Sequence, residues 1–344
     1  MRARRAATGV VAFGVAAVVV ALGAAACSKK SNDGAAPPGE LAGLAAVPAS
    51  AEVVIGIDLA KVASSPIVER AVEQLLLRDA DLQTRWQRFH DSCKLDLGKQ
   101  IRGMILAIGP HGTGKPGTGP TVMVATGQLG EADLPACVRA MVGQGGGSLT
   151  AKDLGSRTLY QAKDGSRTMF FAFGRADTVV LGANEAYVTE ALGSDAKLID
   201  DADMKRFLAQ ADQHAAVWAA GRVDPRVRAG LAAVTQGKLT AGPVAFVAAI
   251  DFTDGAKIEL GAVMPTAADA KALESFAKTE LGGLGMVAQF RGLQRLVDKI
   301  GVKSDDVMVR FTVTLSVDDV NQLLSALDAG PAPAQGSAPP APGP

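Results

Sequence analysis

Apolar residues recur every second position where the body of the chain begins. In "SAEVVIGIDL" Val53, Ile55, Ile57 and Leu59 share one face, which predicts a strand. Ser65 and Pro66 then give an N-cap and a first helical position. The helix that follows carries Val68, Val72, Leu75 and Leu76, and a second helical stretch runs through Leu82, Trp86 and Phe89. Strands are predicted at 101–108 and 121–126, then a helix at about 131–142. Short strands follow near 149–153, 157–162 and 168–173, with a hairpin turning at Asp164-Gly165. A strand at 177–182 and a helix at 184–192 complete this run.

A second run repeats the pattern. It opens with a helix, "DADMKRFLAQ", and a strand, "AAVWAAGRV"; residues 225–236 are predicted helical. A hairpin follows, "PVAFVAAIDFTDGAKIELGAVM", turning at Asp254-Gly255. Thr266 and Asp269 begin a helix as a capping box. An amphipathic helix is expected over 286–300, led in by "LGGLG", with Met286, Phe290, Leu293, Val297 and Ile300 in register. Val307, Val309, Phe311, Val313 and Leu315 then alternate with Met308, Arg310, Thr312 and Thr314, and Ser316 and Asp319 cap a last helix. The hairpin plus helix repeats 101–142, and the ending repeats 168–192. These patterns predict an α+β fold. Two similar units, 41–195 and 196–329, each form a mainly antiparallel sheet covered by helices. A polar tether at 28–40 and a Pro/Ala-rich tail at 330–344, "GPAPAQGSAPPAPGP", flank them and are expected to be disordered.

The first 27 residues differ in kind. Arg2, Arg4 and Arg5 precede an uncharged apolar stretch, Val10 to Leu22. It is shorter than the roughly 20 residues that a membrane span needs. "GAAAC" ends it at Cys27. This resembles the lipobox of bacterial lipoproteins, although Ala24 stands where Leu is usual. The resemblance implies lipidation at Cys27, which would become the mature N-terminus, and attachment to a membrane through that lipid. Ser28 after the cysteine implies the outer membrane, with the body facing the periplasm. The alternative is an ordinary secretory signal cleaved near Ala26. The body also resembles uncharacterised exported bacterial proteins that begin with P-x-x-A-E-V-V-x-x-x-D-L, here Pro48 to Leu59. That short match carries no known activity.

Export changes the reading of the cysteines. With Cys27 lipidated, Cys93 and Cys137 remain as a pair in an oxidising compartment, where a disulfide is favoured over two buried thiols. The charge balance excludes a basic nucleic-acid surface: without the three signal arginines, 32 Lys and Arg face 35 Asp and Glu. Aromatic residues make up 4% of the chain, which argues against stacking on sugars or bases.

The loop "GPHGTGKPGTGP", Gly109 to Pro120, approaches a nucleotide-binding motif. It has Pro116 where Ser or Thr should hold magnesium, and a strand follows it instead of a helix. No nucleotide is expected there, and the loop reads as a flexible connection with His111 and Lys115 exposed. His90, His111 and His214 have no second ligand at zinc spacing. "DDAD", Asp200 to Asp203, lacks the Gly and distal Glu of a calcium loop. No catalytic constellation, cofactor or metal site emerges. The expected function is a non-enzymatic envelope lipoprotein that binds or scaffolds another envelope protein. The alternative is a periplasmic carrier of lipid or another apolar ligand.

Overall fold

The computed structural model describes residues 41–93, 97–193, 196–289 and 294–328. Cys27, the tether and the tail lie outside the described residues. In chain order the first run holds β1 (Val53–Asp58), α1 (Leu59–Ala63), α2 (Pro66–Arg78), α3 (Ala80–Cys93), α4 (Leu97–Gln100), β2 (Ile101–Ile108) and β3 (Thr121–Gly127). It continues with α5 (Asp133–Gln144), β4 (Ser148–Asp153), β5 (Thr158–Asp164), β6 (Arg167–Arg175), β7 (Thr178–Gly182) and α6 (Glu185–Leu192). The second run holds α7 (Ala202–Gln210), β8 (Val217–Arg222), α8 (Pro225–Val234), β9 (Ala245–Asp251), β10 (Ala256–Val263) and α9 (Ala267–Gln289). It ends with α10 (Gln294–Val297), β11 (Gly301–Asp305), β12 (Met308–Leu315) and α11 (Val317–Asp328).

Local chemistry sets the boundaries. Ser65 caps α2 with Pro66 in its first turn. Thr266 and Asp269 bond reciprocally at the start of α9, the Thr266 hydroxyl donating to Asp269 at 2.7 Å and the Asp269 N–H donating to Thr266 at 3.1 Å. Ser316 and Asp319 do the same at α11, at 2.8 and 3.2 Å, and the Ser316 N–H also donates to Asp319 at 2.7 Å. Three expectations change. Leu59 does not extend β1, because the Asp58 carboxylate accepts the Lys61 N–H at 3.1 Å and caps α1 there. α9 passes through the "LGGLG" stretch as helix up to Gln289, so these glycines are not a flexible lead-in. The helix expected at 286–300 is divided between the end of α9 and the short α10; residues 290–293 lie outside the described set.

All twelve strands described form one antiparallel sheet, in the order β11-β12-β10-β9-β8-β1-β2-β3-β7-β6-β5-β4. The two runs meet where β1 pairs with β8, Ile55 opposite Ala219. Read outward from that junction, β1-β2-β3-β7-β6 on one side matches β8-β9-β10-β12-β11 on the other, and β5 and β4 extend the first side only. At the junction Gly56 lies opposite Trp218; a Cβ on Gly56 would sit 2.1 Å from the indole. Only glycine lets this ring lie on the neighbouring strand.

The sheet has two faces. The front carries Val54, Ala107, Val124, Ala172 and Val180 in one core cluster with Tyr187, Val188 and Ala191 of α6 and Met204 and Phe207 of α7. The back carries Ile57, Met104, Ala125, Phe173 and Val179, covered by Leu59 and Val62 of α1, Val68 of α2 and, partly buried, Leu134 and Val138 of α5. Farther along the back, α9 covers Val302 of β11 and Val309 of β12.

Candidate functional site

The sulfurs of Cys93 at the end of α3 and Cys137 in α5 stand 1.97 Å apart, at disulfide distance. Beside them Gln144 donates to Ser92 at 2.9 Å, so the two helices meet at a covalent and a polar contact. Cys27 and the side chain of His90 lie outside the described residues. His214 is exposed.

The loop between β2 and β3 contradicts one expectation. Lys115 is exposed, but the His111 side chain is only 6% exposed. Its Nδ1 stands 3.1 Å from a Glu52 carboxylate oxygen and its Nε2 2.6 Å from Asp224. Arg226 donates to the carbonyls of Gly112 at 2.8 Å and Gly114 at 3.3 Å. Burial pushes the Asp224 carboxyl up, but the Arg226 backbone N–H, the Arg226 charge and His111 hold it below the usual carboxylate range. The loop is thus strapped to the start of β1 and to the cap of α8. Two of its glycines have packing causes: a Cβ at Gly119 would sit 1.9 Å from the Gly109 carbonyl oxygen, and one at Gly109 would meet the Tyr187 ring at 2.9 Å. β3 follows directly, so no helix begins at the end of the loop as a phosphate-binding motif requires.

An apolar surface left open lies on the back of the sheet at the junction of the two runs. One cross-strand row crosses six strands through Leu106, Ile55, Ala219, Ala248, Leu260 and Phe311. Every residue in it is apolar and none is buried; Leu260 is 50% exposed. The next row includes Val217, Ile250, Ile258 and Val313, and the row on the other side runs from Ile108 through Phe246 to Val309. No polar side chain interrupts any of the three. Leu106, Phe246, Ala248, Ile250, Ile258 and Leu260 belong to none of the core clusters.

Flanking helices leave this strip uncovered. α9 lies over β11 and β12 and makes no more than marginal contact with β9 or β10. α2 and α11 meet over one end, where Ile67 packs with Leu315 and Val320 and Arg70 donates to Asn321 at 2.7 Å. Ala219 and Ala248 are the smallest side chains of the middle row, so the floor dips between Ile55 and Leu260. The result is a trough with an apolar floor and helical banks. Its backbone groups are committed to the sheet ladder, which leaves dispersion and apolar burial as its means of recognition. Sequence patterning identified each strand's apolar face but not this exposure, which depends on where α2, α9 and α11 stop.

Among the described residues no group of three or more His, Cys, Asp or Glu could hold a metal ion, and no helix is long and apolar enough to cross a membrane. No protein family and no curated protein matches the sequence. A solved structure titled "Structure of crystal form I of TP0453" aligns with a TM-score of 0.43 at 8% identity, covering 86% of this chain and 99% of that one. At that similarity it carries no functional inference.

Proposed function

We propose that this is a non-enzymatic binding protein that shelters an acyl chain of a lipid in the back trough, anchored to an envelope membrane, in our reading the outer membrane, by lipid on Cys27. The observation that carries this reading is three uninterrupted apolar rows over the centre of the sheet, the middle one without a buried residue. A large exposed apolar patch on a folded protein marks an interaction site. An alkyl chain suits this one because it brings no group that needs a hydrogen bond. An extended peptide would leave its own N–H and C=O groups unpaired against a floor without donors or acceptors. The six strands span about 24 Å at a spacing of ~4.8 Å. That exceeds the roughly 15 Å of hydrocarbon in one bilayer leaflet, half of a ~30 Å core. The bond between Cys93 and Cys137, in an oxidising periplasm, belongs to the same proposal.

The test is mass spectrometry of lipid recovered with protein purified without detergent, beside titration with a fluorescent fatty acid. Wild type is expected to carry lipid and to bind the probe. Ala248→Phe, which fills the dip, is expected to lose both with its melting temperature unchanged. Wild type that arrives empty and ignores the probe would end the proposal; a dimer burying the trough, seen by light scattering, would replace it with self-association. Separately, Cys27→Ser is expected to abolish labelling by a lipid precursor and to release the protein from membranes. Unchanged membrane retention would refute the anchor.

A further inference from the structure

A second hollow, about 390 Å³, opens on the front side where β8 ends and α8 begins. Its charged lining is Glu52, Asp203, Arg206, Arg222, Asp224 and Arg228, with Phe207 and Val244 among its apolar walls. The charges pair off in an orderly way. Arg206 donates to Asp203 at 3.2 Å and Arg222 to Asp201 at 2.6 Å. Glu52 and Asp224 both face His111, and Asp224 also takes the Arg226 backbone N–H. Every carboxylate around the hollow therefore has a cationic or N–H partner.

Arg228 is the charge left over. Its Nε is fully buried and has no hydrogen-bond partner. A buried donor without an acceptor costs ~1–3 kcal/mol, and more in a charged group. The geometry also fixes it: a Cβ on Gly242 would sit 3.1 Å from the Arg228 Cα, so the first turn of α8 is pressed against the segment before β9 and has little room to retreat. A guanidinium presents parallel N–H groups that match two oxygens of one carboxylate or phosphate.

We infer that this hollow binds a small organic anion, a carboxylate or a phosphate ester, with its oxygens on Arg228 and its apolar part between Phe207 and Val244. The lining holds three carboxylates and three arginines, so recognition rests on the unpartnered Arg228 N–H and not on a surplus of positive charge. This site is on the opposite face from the trough and stands independently of it.

Titration calorimetry with benzoate and with inorganic phosphate tests the inference, with co-sedimentation on phosphatidylglycerol and phosphatidylcholine vesicles as a third arm. Benzoate or phosphate is expected to bind wild type and to weaken as salt is raised. Arg228→Leu is expected to lower that affinity at least tenfold, and Arg228→Lys to retain part of it. Lys152→Gln, an exposed residue of β4 paired with Glu185, is expected to bind like wild type and serves as the folding control, with near-ultraviolet circular dichroism on every variant. Binding only to the anionic vesicles, lost in Arg228→Leu, would assign the site to a lipid headgroup. Overturning results are no binding in any arm, or binding that Arg228→Leu leaves intact.

Discussion

The two halves of the sheet are built to one strand order but finished differently. In the first half, β6 and β7 are covered on both faces: Ala172 and Val180 sit under α6 at the front, and Phe173 and Val179 sit in the back cluster. In the second half, the fronts of β10 and β12 are buried at one end by Val263 and Met308 and otherwise carry Glu259, Arg310 and Thr312, with Glu259 paired to Arg310. Their backs are apolar and only partly roofed. The same topology thus yields a closed sandwich on one side and a one-sided sheet with a vacant apolar surface on the other. The proposed trough begins at Ile55 and Leu106 of the first half and lies mainly over the half that is less completely packed.

The sharpest way to break this contrast is a matched pair of charges. Val180→Asp places a carboxylate where the side chain is fully buried. It is expected to cost roughly 4–5 kcal/mol or more and to prevent folding. Leu260→Asp, on the trough, is expected to cost less than about 1 kcal/mol and to abolish fatty-acid binding instead. Urea unfolding of both variants checks this; equal losses would mean the two faces are equally packed.

Next in size is the Cys93 and Cys137 pair, separated by 44 residues in the closed loop. Replacing both with Ser is expected to cost about 4 kcal/mol. Hydrogen exchange should show the loss concentrated at α3 and α5. A change under 1 kcal/mol would mean that the sulfurs are not bonded in solution.

Acid separates the halves further. Hydrogen bonds from Lys278 and Ser304 hold Glu274 at about 2, and hydrogen bonds from Lys299 and Ser316 hold Asp319 at about 2. A carboxylate depressed in the folded state stabilises fully above its unfolded value, near 4, and loses that contribution as pH falls toward 2. Glu274 ties α9 to the Ser304 N–H of β11 at 3.1 Å, and Asp319 caps α11. Between pH 4 and 2 α9, β11 and α11 are expected to lose exchange protection before β1 and β2 do, while the β6–β7 turn, where Arg175 holds the Asp177 carboxyl below its usual range, weakens with them. Simultaneous loss would show that the sheet unfolds as one unit.

The smallest effect concerns Gly282, Gly283 and Gly285 inside α9, where an added Cβ would meet nothing within 4 Å. Alanine at Gly282 or Gly283 is expected to stabilise by about 0.5–1 kcal/mol each, measured by thermal unfolding. Weaker lipid binding in the same variants would show that this stretch of α9 must bend to admit ligand.

Sequence patterning revealed the strands wherever apolar residues ran together or alternated. "MFFAF" and "VVL" marked the doubly covered strands, and the regular alternation in β12 marked a one-sided one. β11 escaped because "GVKSD" holds a single large apolar residue, Val302, and its pairing partner lies across a tight turn with Asp306 at a φ of 48°. The burial of His111 escaped because its partners, Glu52 and Asp224, are far away in the chain. The trough escaped for a similar reason: an apolar strand face reads the same whether or not a helix comes to cover it. Arg228 gave no local signal, since an unmatched charge is defined by its neighbours.

The pairing of β1 with β8 has one further implication. A chain cut after Gly193 would present β1 as a bare six-residue edge strand, able to bond through both its N–H and C=O groups. The most readily available complement is another copy of itself, placed across a two-fold axis much as β8 sits in the intact chain. Expressed alone, the first half should therefore be recovered as a symmetric pair or as aggregate, and adding the separately made second half should convert it back to a one-to-one complex.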